Sequence, residues 1–468
     1  MTALVWFRRD LRVRDHPALR AALERHEQVV PVFCLDDRLL KGRHRSGSRT
    51  QFLLECLQDL DGALAERGGR LVVRHGKPER ELAELAREVG AQELHHTYDV
   101  SPYARARGKL VQAAMEQAGV SIQAHPGLTV ADDVRPIRTG TNSPYSVFTP
   151  FYRAWLQQPR RHVLQAPYEV QLPAHVTRGK LPSLDALGLS QETDAPAPGG
   201  ETEAQLCLER FLHGPIHEYG SGHDALSEPG TSRLSPYLRF GCVSPRALEA
   251  RLPVDAGPTA FRRQLCWRDF YQYVLYHHPS NAHEEFQERY RGTLRWNDDE
   301  QAFTAWTQGR TGFPLVDAGM RQLLREGWMH NRARLVVGSF LTKDLGIDWR
   351  RGEAWFMRML IDGDEASNNG NWQWIASVGT DPQPVFRRIY NPALHMQRFD
   401  PAGRYVREYV PELREVPLEY LGEPWKMPAQ LQQDAGCVIG RDYPEPIVDR
   451  RQAREATLAR YRSAAAEE

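Results

Sequence analysis

The sequence predicts an α/β N-terminal domain, built on a doubly wound parallel sheet of five strands, joined to an all-helical C-terminal domain. Three observations predict it. Short, near-continuous apolar runs alternate with amphipathic stretches at the start of the chain, as in a parallel sheet covered on both faces. A Pro-rich middle then loses its periodicity. Beyond it, apolar residues recur at helical spacing and strand signals are weak.

Four strands are explicit, at residues 3–7 (ALVWF), 29–35 (VVPVFCL), 70–74 (RLVVR) and 93–97 (ELHHT). Helices are expected at 51–67, 78–89 and 104–118, with Gly68, Gly69, Gly76 and Gly119 where helix-to-strand connections need them. No G-x-G-x-x-G follows the first strand, so that dinucleotide fingerprint is absent. The N-terminal domain is placed at 1–131 and a connection at 132–203, where Pro136, Pro144, Pro150, Pro159, Pro167, Pro173 and Pro182 punctuate the chain. Within it, ETDAPAPGGETE at 192–203 has the composition of a flexible loop. The C-terminal domain is placed at 204–468, with helices at 204–212, 245–251, 259–276, 300–307, 314–326, 331–344 and 353–361.

Hydrophobic content of 41% and charged content of 26% over 468 residues are those of an ordinary soluble protein. No apolar run reaches the length of a membrane span, and MTALVWFRRDLRVRD lacks signal-peptide architecture, so a cytoplasmic location is expected. Cys34, Cys56, Cys207, Cys242, Cys266 and Cys437 show no C-x-x-C spacing, which predicts buried thiols and no metal site. Zero formal net charge excludes a uniformly basic surface but allows a local basic groove. Of 11 Trp, nine lie after Gln205. Each indole N–H needs a partner, so the second half has an unusual core or uses its indoles.

Four stretches carry candidate chemistry. GTSRLSPYLRFG (230–241) offers hydroxyls and Arg233 at a helix start, suited to phosphate. Taken alone, a plain N-cap by Thr231 or Ser232 explains it better. In GWMHNRARL (327–335), Arg332 and Arg334 point to different sides of a helix, and Asp362 and Asp364 are candidate partners. Taken alone, surface ion pairing explains that stretch better. In TAFRRQLCWRDFYQYVLY (259–276), Gln264 and Trp267 share a face amid core residues. SNNGNWQWIA (367–376) holds Asn368, Asn369 and Asn371, able to read a heterocycle edge or to form a left-handed turn. Trp372 and Trp374 there are too close to share one helix face.

Taken in order, from WFRRDLRVRDHPAL (6–19) to RYVREYVPELREVP (404–417), the chain resembles the photolyase/cryptochrome family of blue-light flavoproteins. The most specific stretches are GTSRLSPYLRFG, LCWRDFYQYV, GWMHNRAR, FLTKDLGIDWRRGE and DGDEASNNGNWQWIASVGTDPQPVFRRIYNP. The pattern is most similar to class I cyclobutane pyrimidine dimer photolyases. That resemblance implies FAD in the helical domain. Tyr219, Thr231, Ser232, Arg233, Leu234 and Ser235 would contact its phosphates and sugar chain. Asn331, Arg334, Asp362 and Asp364 would surround the ring and ribose, with Arg334 paired to Asp362, and Asn368 would face N5. Phe261, Gln264 and Arg268 complete the implied cofactor set.

The resemblance also implies an electron relay through Trp372, Trp349 and Trp296. A flipped-out lesion in UV-damaged DNA would be clasped by Trp267 and Trp374, beside Gln264, Asn331 and Leu335. Arg332, Arg387, Arg388 and Arg398 would hold phosphates. Gln264 stands where class I enzymes generally carry Glu, Leu335 where they carry Met, and Phe261 where Trp is common. Gln donates a hydrogen bond but delivers no proton, so binding is expected to survive with reduced splitting efficiency. Weak (6-4) repair is disfavoured because Asn331 and Leu335 replace a needed His pair, and a signalling cryptochrome is the other alternative. A second, antenna chromophore (a folate, a deazaflavin or a second flavin) is expected against residues 34–51 and 98–106. A monomer is expected.

Overall fold

The computed structural model describes residues 1–381 and 383–466. Pro382, inside the 362–392 motif, and residues 467–468, at the end of the expected C-terminal domain, lie outside the described residues.

Five parallel strands, β1 (Thr2–Phe7), β2 (Gln28–Leu35), β3 (Val72–His75), β4 (Ala91–Thr97) and β5 (Ser121–His125), form one sheet in the order β3-β2-β1-β4-β5. Alternation along β1 shows the double winding. Ala3, Val5 and Phe7 pack with Leu19, Leu57 and Leu60, from helices Pro17–Arg25 and Gly47–Ala65. Leu4 and Trp6 face the other way, onto Leu82, Leu85, Val111 and Met115 of helices Pro78–Val89 and Pro102–Gln117. The edge strand β5 (SIQAH) is half exposed and mostly polar, which is why no apolar run announced it.

The connection is less irregular than expected. Phe148, Phe151 and Trp155 form the buried stripe of helix Phe148–Leu156, at spacings of three and four that Pro150 conceals. Trp155 Nε1 donates to buried Asp269 at 2.9 Å, tying this segment to helix Ala256–His277.

In the C-terminal part, helix Asn331–Ser339 gives way to a single wide turn at Phe340–Asp344. Helix Trp349–Met359 starts before its expected position because Asp348 caps it, accepting from Arg350 N–H. The segment SNNGNWQWIA is helical, not a turn: it lies in helix Glu365–Ala376, capped by Asp364, which accepts from Ser367 N–H at 2.9 Å. Gly370 costs helix propensity there, about 1 kcal/mol relative to Ala. A Cβ on it would come within 2.1 Å of the Tyr271 ring, so glycine is what lets helix Ala256–His277 approach.

All six cysteines are free, and five are buried. Among the described residues no helix is long and apolar enough to cross a membrane. His26, Glu93 and His95 cluster within 4.8 Å, a grouping the sequence did not suggest. Glu93 accepts from both imidazoles, at 3.0 and 2.9 Å, and from Arg25 at 2.7 Å, so protein donors already occupy the carboxylate.

Candidate active site

Two helices supply two stripes of the site. On Ala256–His277, Phe261, Gln264, Trp267, Arg268 and Tyr271 recur at helical spacing along one wall of a cavity of about 430 Å³. On Glu365–Ala376, Ser367, Asn371 and Trp374 line the same cavity. Asn368, Trp372 and Ile375 line an adjoining chamber of about 210 Å³. The chambers share Ser235, Asn331, Arg334, Leu335, Asp362 and Asp364. Trp372 and Trp374 thus serve neighbouring chambers, as their separation by one residue requires.

At one end lie Tyr219, Thr231, Ser232, Arg233, Leu234 and Ser235. Neither Thr231 nor Ser232 caps the helix Ser235–Phe240, whose cap position is Leu234 without a side-chain bond. Arg233 has φ of 50°, a conformation costly for a side chain with Cβ. Its guanidinium lies 4.3 Å from the Trp328 ring centre and pairs with Glu326 at 2.9 Å. Trp328 Nε1 donates to Ser235 Oγ at 3.1 Å. Trp328 lines both chambers and was missed from the sequence, although it sits in the GWMHNR stretch.

At the centre, Arg334 grips Asp362 with both terminal nitrogens, at 3.2 and 2.8 Å. Arg332, two residues away, pairs with Asp224 and lies 4.2 Å over Phe399. Both arginines therefore meet carboxylates on opposite sides. Asp364 pairs with Arg9, which follows β1 and also reaches Asp99 at 3.3 Å. Burial alone would raise the Asp364 carboxyl, but Arg9, Arg239 and Arg268 hold it well below the usual carboxylate range. Arg268 itself donates to the Leu128 and Leu238 carbonyls.

Asn368 Nδ2 donates to Glu353 at both the backbone carbonyl and Oε1, each at 3.0 Å. With the amino group committed, Oδ1 is the amide's remaining polar atom at the chamber wall. Burial raises the Glu353 carboxyl, and the bond from Asn368 partly offsets this.

The three tryptophans of the expected relay lie at decreasing burial: Trp372 and Trp349 are buried and Trp296 is half-buried. Buried Trp372 borders the chamber, and Gly352 lies directly under it: a Cβ there would be 2.2 Å from the indole Cη2. Gly352 is three residues along the same helix from buried Trp349, whose Nε1 donates to Glu285 at 3.3 Å. An isolated parallel bridge between Asn297 and Ile347 ties the residue after half-buried Trp296 to the short segment leading to Trp349.

At the cavity mouth, Trp374 Nε1 donates to Asp381 Oδ2 at 3.2 Å, and Arg388 pairs with the same oxygen at 2.7 Å. Arg388 lies 4.1 Å over the Trp374 ring and is 2% exposed. It braces that indole and is not a free cation. Arg387 and Arg398 are exposed. Gln264 is exposed to the cavity space.

Residues 3–171 match the family described as DNA photolyase, and residues 261–463 match the FAD binding domain of DNA photolyase. A deoxyribodipyrimidine photo-lyase of Streptomyces griseus is 42% identical over 97% of both chains.

The chain belongs to the photolyase/cryptochrome family.

Within that family, a class III photolyase from Agrobacterium tumefaciens superimposes with a TM-score of 0.92 at 36% identity, over 99% of this chain and 97% of that one. A Synechocystis cryptochrome superimposes at 0.89 and 30% identity, over 98% of both. The expected family and two-part architecture hold, and the chain carries a photolyase FAD-binding domain.

Proposed function

We propose that this protein is a light-driven deoxyribodipyrimidine photolyase that reverses cyclobutane pyrimidine dimers in UV-damaged DNA. The carrying observation is a pair of adjoining chambers with a common wall. One presents Thr231, Ser232, Gln264, Trp267 and Trp374, the other presents Asn368 and Trp372, and Ser235 with the Arg334–Asp362 pair borders both.

The donor set fits FAD. The hydroxyls suit a pyrophosphate, beside an Arg233 whose guanidinium is shared with Glu326, while Asn331, Arg334, Asp362 and Asn368 offer donors and acceptors to a ring edge. When bound and reduced, FAD supplies on absorbing blue light the single electron that opens the dimer, and takes it back afterwards. Asn368 holds an oxygen toward that group, its orientation fixed by Glu353. Trp372, Trp349 and Trp296 relay electrons between cavity and surface. Trp267 and Trp374 clasp the flipped bases, and the Gln264 amide donates to a pyrimidine carbonyl without delivering a proton. Asn331 and Leu335 complete that pocket. Arg387 and Arg398 take flanking phosphates, while Arg332 and Arg388 act through their carboxylate partners.

The same proposal places an antenna chromophore in a separate cavity of about 490 Å³ at the carboxyl ends of β1 and β2. Residues expected from both the 34–51 and 98–106 segments line it, including Cys34, Arg38, Arg49, Ser101 and Tyr103. Class I affinity, a monomeric state, a cytoplasmic location and a division at residues 131 and 203 belong to the same proposal.

The test is chromatography of hydrolysed DNA after incubating FAD-loaded, reduced protein with dimer-containing DNA. Dimers should be lost in blue light and retained in the dark. Light-dependent binding of a protein partner without dimer loss would instead favour a photoreceptor.

A further inference from the structure

We propose that Phe148, in the connection between the two parts of the chain, is a positioning residue for the lesion, setting the plane of Trp267. The proposal rests on Trp267 being a lesion wall. Phe148 begins the helix Phe148–Leu156 and is buried. Its ring centre lies 3.7 Å from that of Trp267, with 4° between the planes. Few aromatic pairs overlap so fully, because ring quadrupoles favour offset or edge-on packing.

The pair is held from several sides. Phe270 meets Trp267 edge-on at 5.7 Å and Phe148 edge-on at 5.7 Å. Tyr152 stacks on Phe148 at 5.8 Å and 15°. The Arg263 guanidinium lies 4.9 Å from Phe148 and 5.2 Å from Tyr152, adding cation–π attraction. One indole face is therefore covered by a ring packed from several sides. Trp267 also lines the cavity, with Tyr271 tilted beside it at 5.5 Å.

A base that stacks on an indole binds best when the indole is already in plane. A wall that must first be ordered loses affinity to side-chain entropy. Phe148 removes that cost without touching the substrate. It also makes the connection, which sequence alone shows as structureless, a support behind the substrate pocket.

The test compares full-length, FAD-loaded variants on a single-stranded oligonucleotide bearing one cyclobutane thymine dimer, and on its undamaged counterpart. Phe148→Leu should weaken dimer binding about threefold to tenfold. KM should rise correspondingly, with kcat at saturating lesion, flavin absorbance and undamaged-DNA affinity unchanged. Phe148→Tyr should restore binding to within about twofold of the parent. Parental Kd and KM in Phe148→Leu, equal losses on damaged and undamaged DNA, or failure of Phe148→Tyr to rescue would overturn the proposal. If Phe148→Leu does not fold, Arg263→Ala decides. It unloads the stack from outside, and unchanged dimer affinity there would also overturn the proposal. Trp267→Ala is measured alongside: if it leaves dimer affinity intact, the assignment of Trp267 as a lesion wall fails, independently of what Phe148 does to the indole plane.

Discussion

Arg334 and Asp362 meet side by side in the wall common to the two chambers, Nη1 to Oδ1 at 3.2 Å and Nη2 to Oδ2 at 2.8 Å. The geometry is a bidentate fork, which lysine cannot reproduce. Arg334→Ala leaves the buried Asp362 carboxylate unpaired, at a cost of about 3–5 kcal/mol. We expect that variant to melt earlier and to retain little FAD, as read by flavin absorbance per protein after gel filtration. Arg334→Lys should fall between it and the parent.

Gly352→Ala probes the proposed relay. The added Cβ would come within 2.2 Å of Trp372 Cη2, so the indole must move. Overpacking of this kind costs roughly 1–3 kcal/mol. Flash absorption should show slower or smaller formation of the tryptophan radical, with FAD content near normal. An unchanged radical yield and rise time would show that Trp372 is not where electrons leave the cavity.

Gln264→Glu probes the chemistry at the mouth. Gln264 has solvent-accessible surface in the cavity and can only donate or accept hydrogen bonds. A carboxyl group adds a transferable proton. The splitting yield per absorbed photon should rise by about twofold or more, with dimer affinity changed little. Equal yields would refute the role given to this position.

Glu365 gives a pH signature. Burial, with Asp364, Asp99 and Glu353 nearby, pushes its carboxyl up to about 7. The folded state therefore holds this proton more tightly than the unfolded chain does. The contribution to stability is present below the ordinary Glu range near 4.5 and is lost as pH rises through about 7. Glu365→Gln mimics the protonated form. It should be more stable than the parent at pH 8, by on the order of 1–3 kcal/mol, and nearly equal to it at pH 4.5. Denaturant titrations at the two pH values measure this. A constant difference between them would contradict the assignment.

Strands such as β1 and β2 were legible because burial on both sheet faces forces continuous apolar runs. β5 was not, since an edge strand with half-exposed polar residues carries no such signal. Helix Glu365–Ala376 was hidden because its Asn and Gly residues answer tertiary demands. Gly370 clears Tyr271, Asn368 ties to Glu353, and Asp364 caps the first turn. The cavity residues were legible from ordered motifs, yet their commitments were not. That Arg388 is locked under Trp374 by Asp381, and Arg332 by Asp224, depends on partners far apart in the chain or in a loop without periodicity. Phe148 was invisible for the same reason: its partner Trp267 lies on a helix more than a hundred residues away.

The most direct test of dimer reversal is single-turnover absorbance of reduced, FAD-loaded protein mixed with a dimer-bearing oligonucleotide. A blue flash should restore the ultraviolet absorbance of intact thymines, and oxidised protein under the same flash should restore none. If the reduced protein binds the oligonucleotide and the flash returns no thymine absorbance, the proposed activity is wrong.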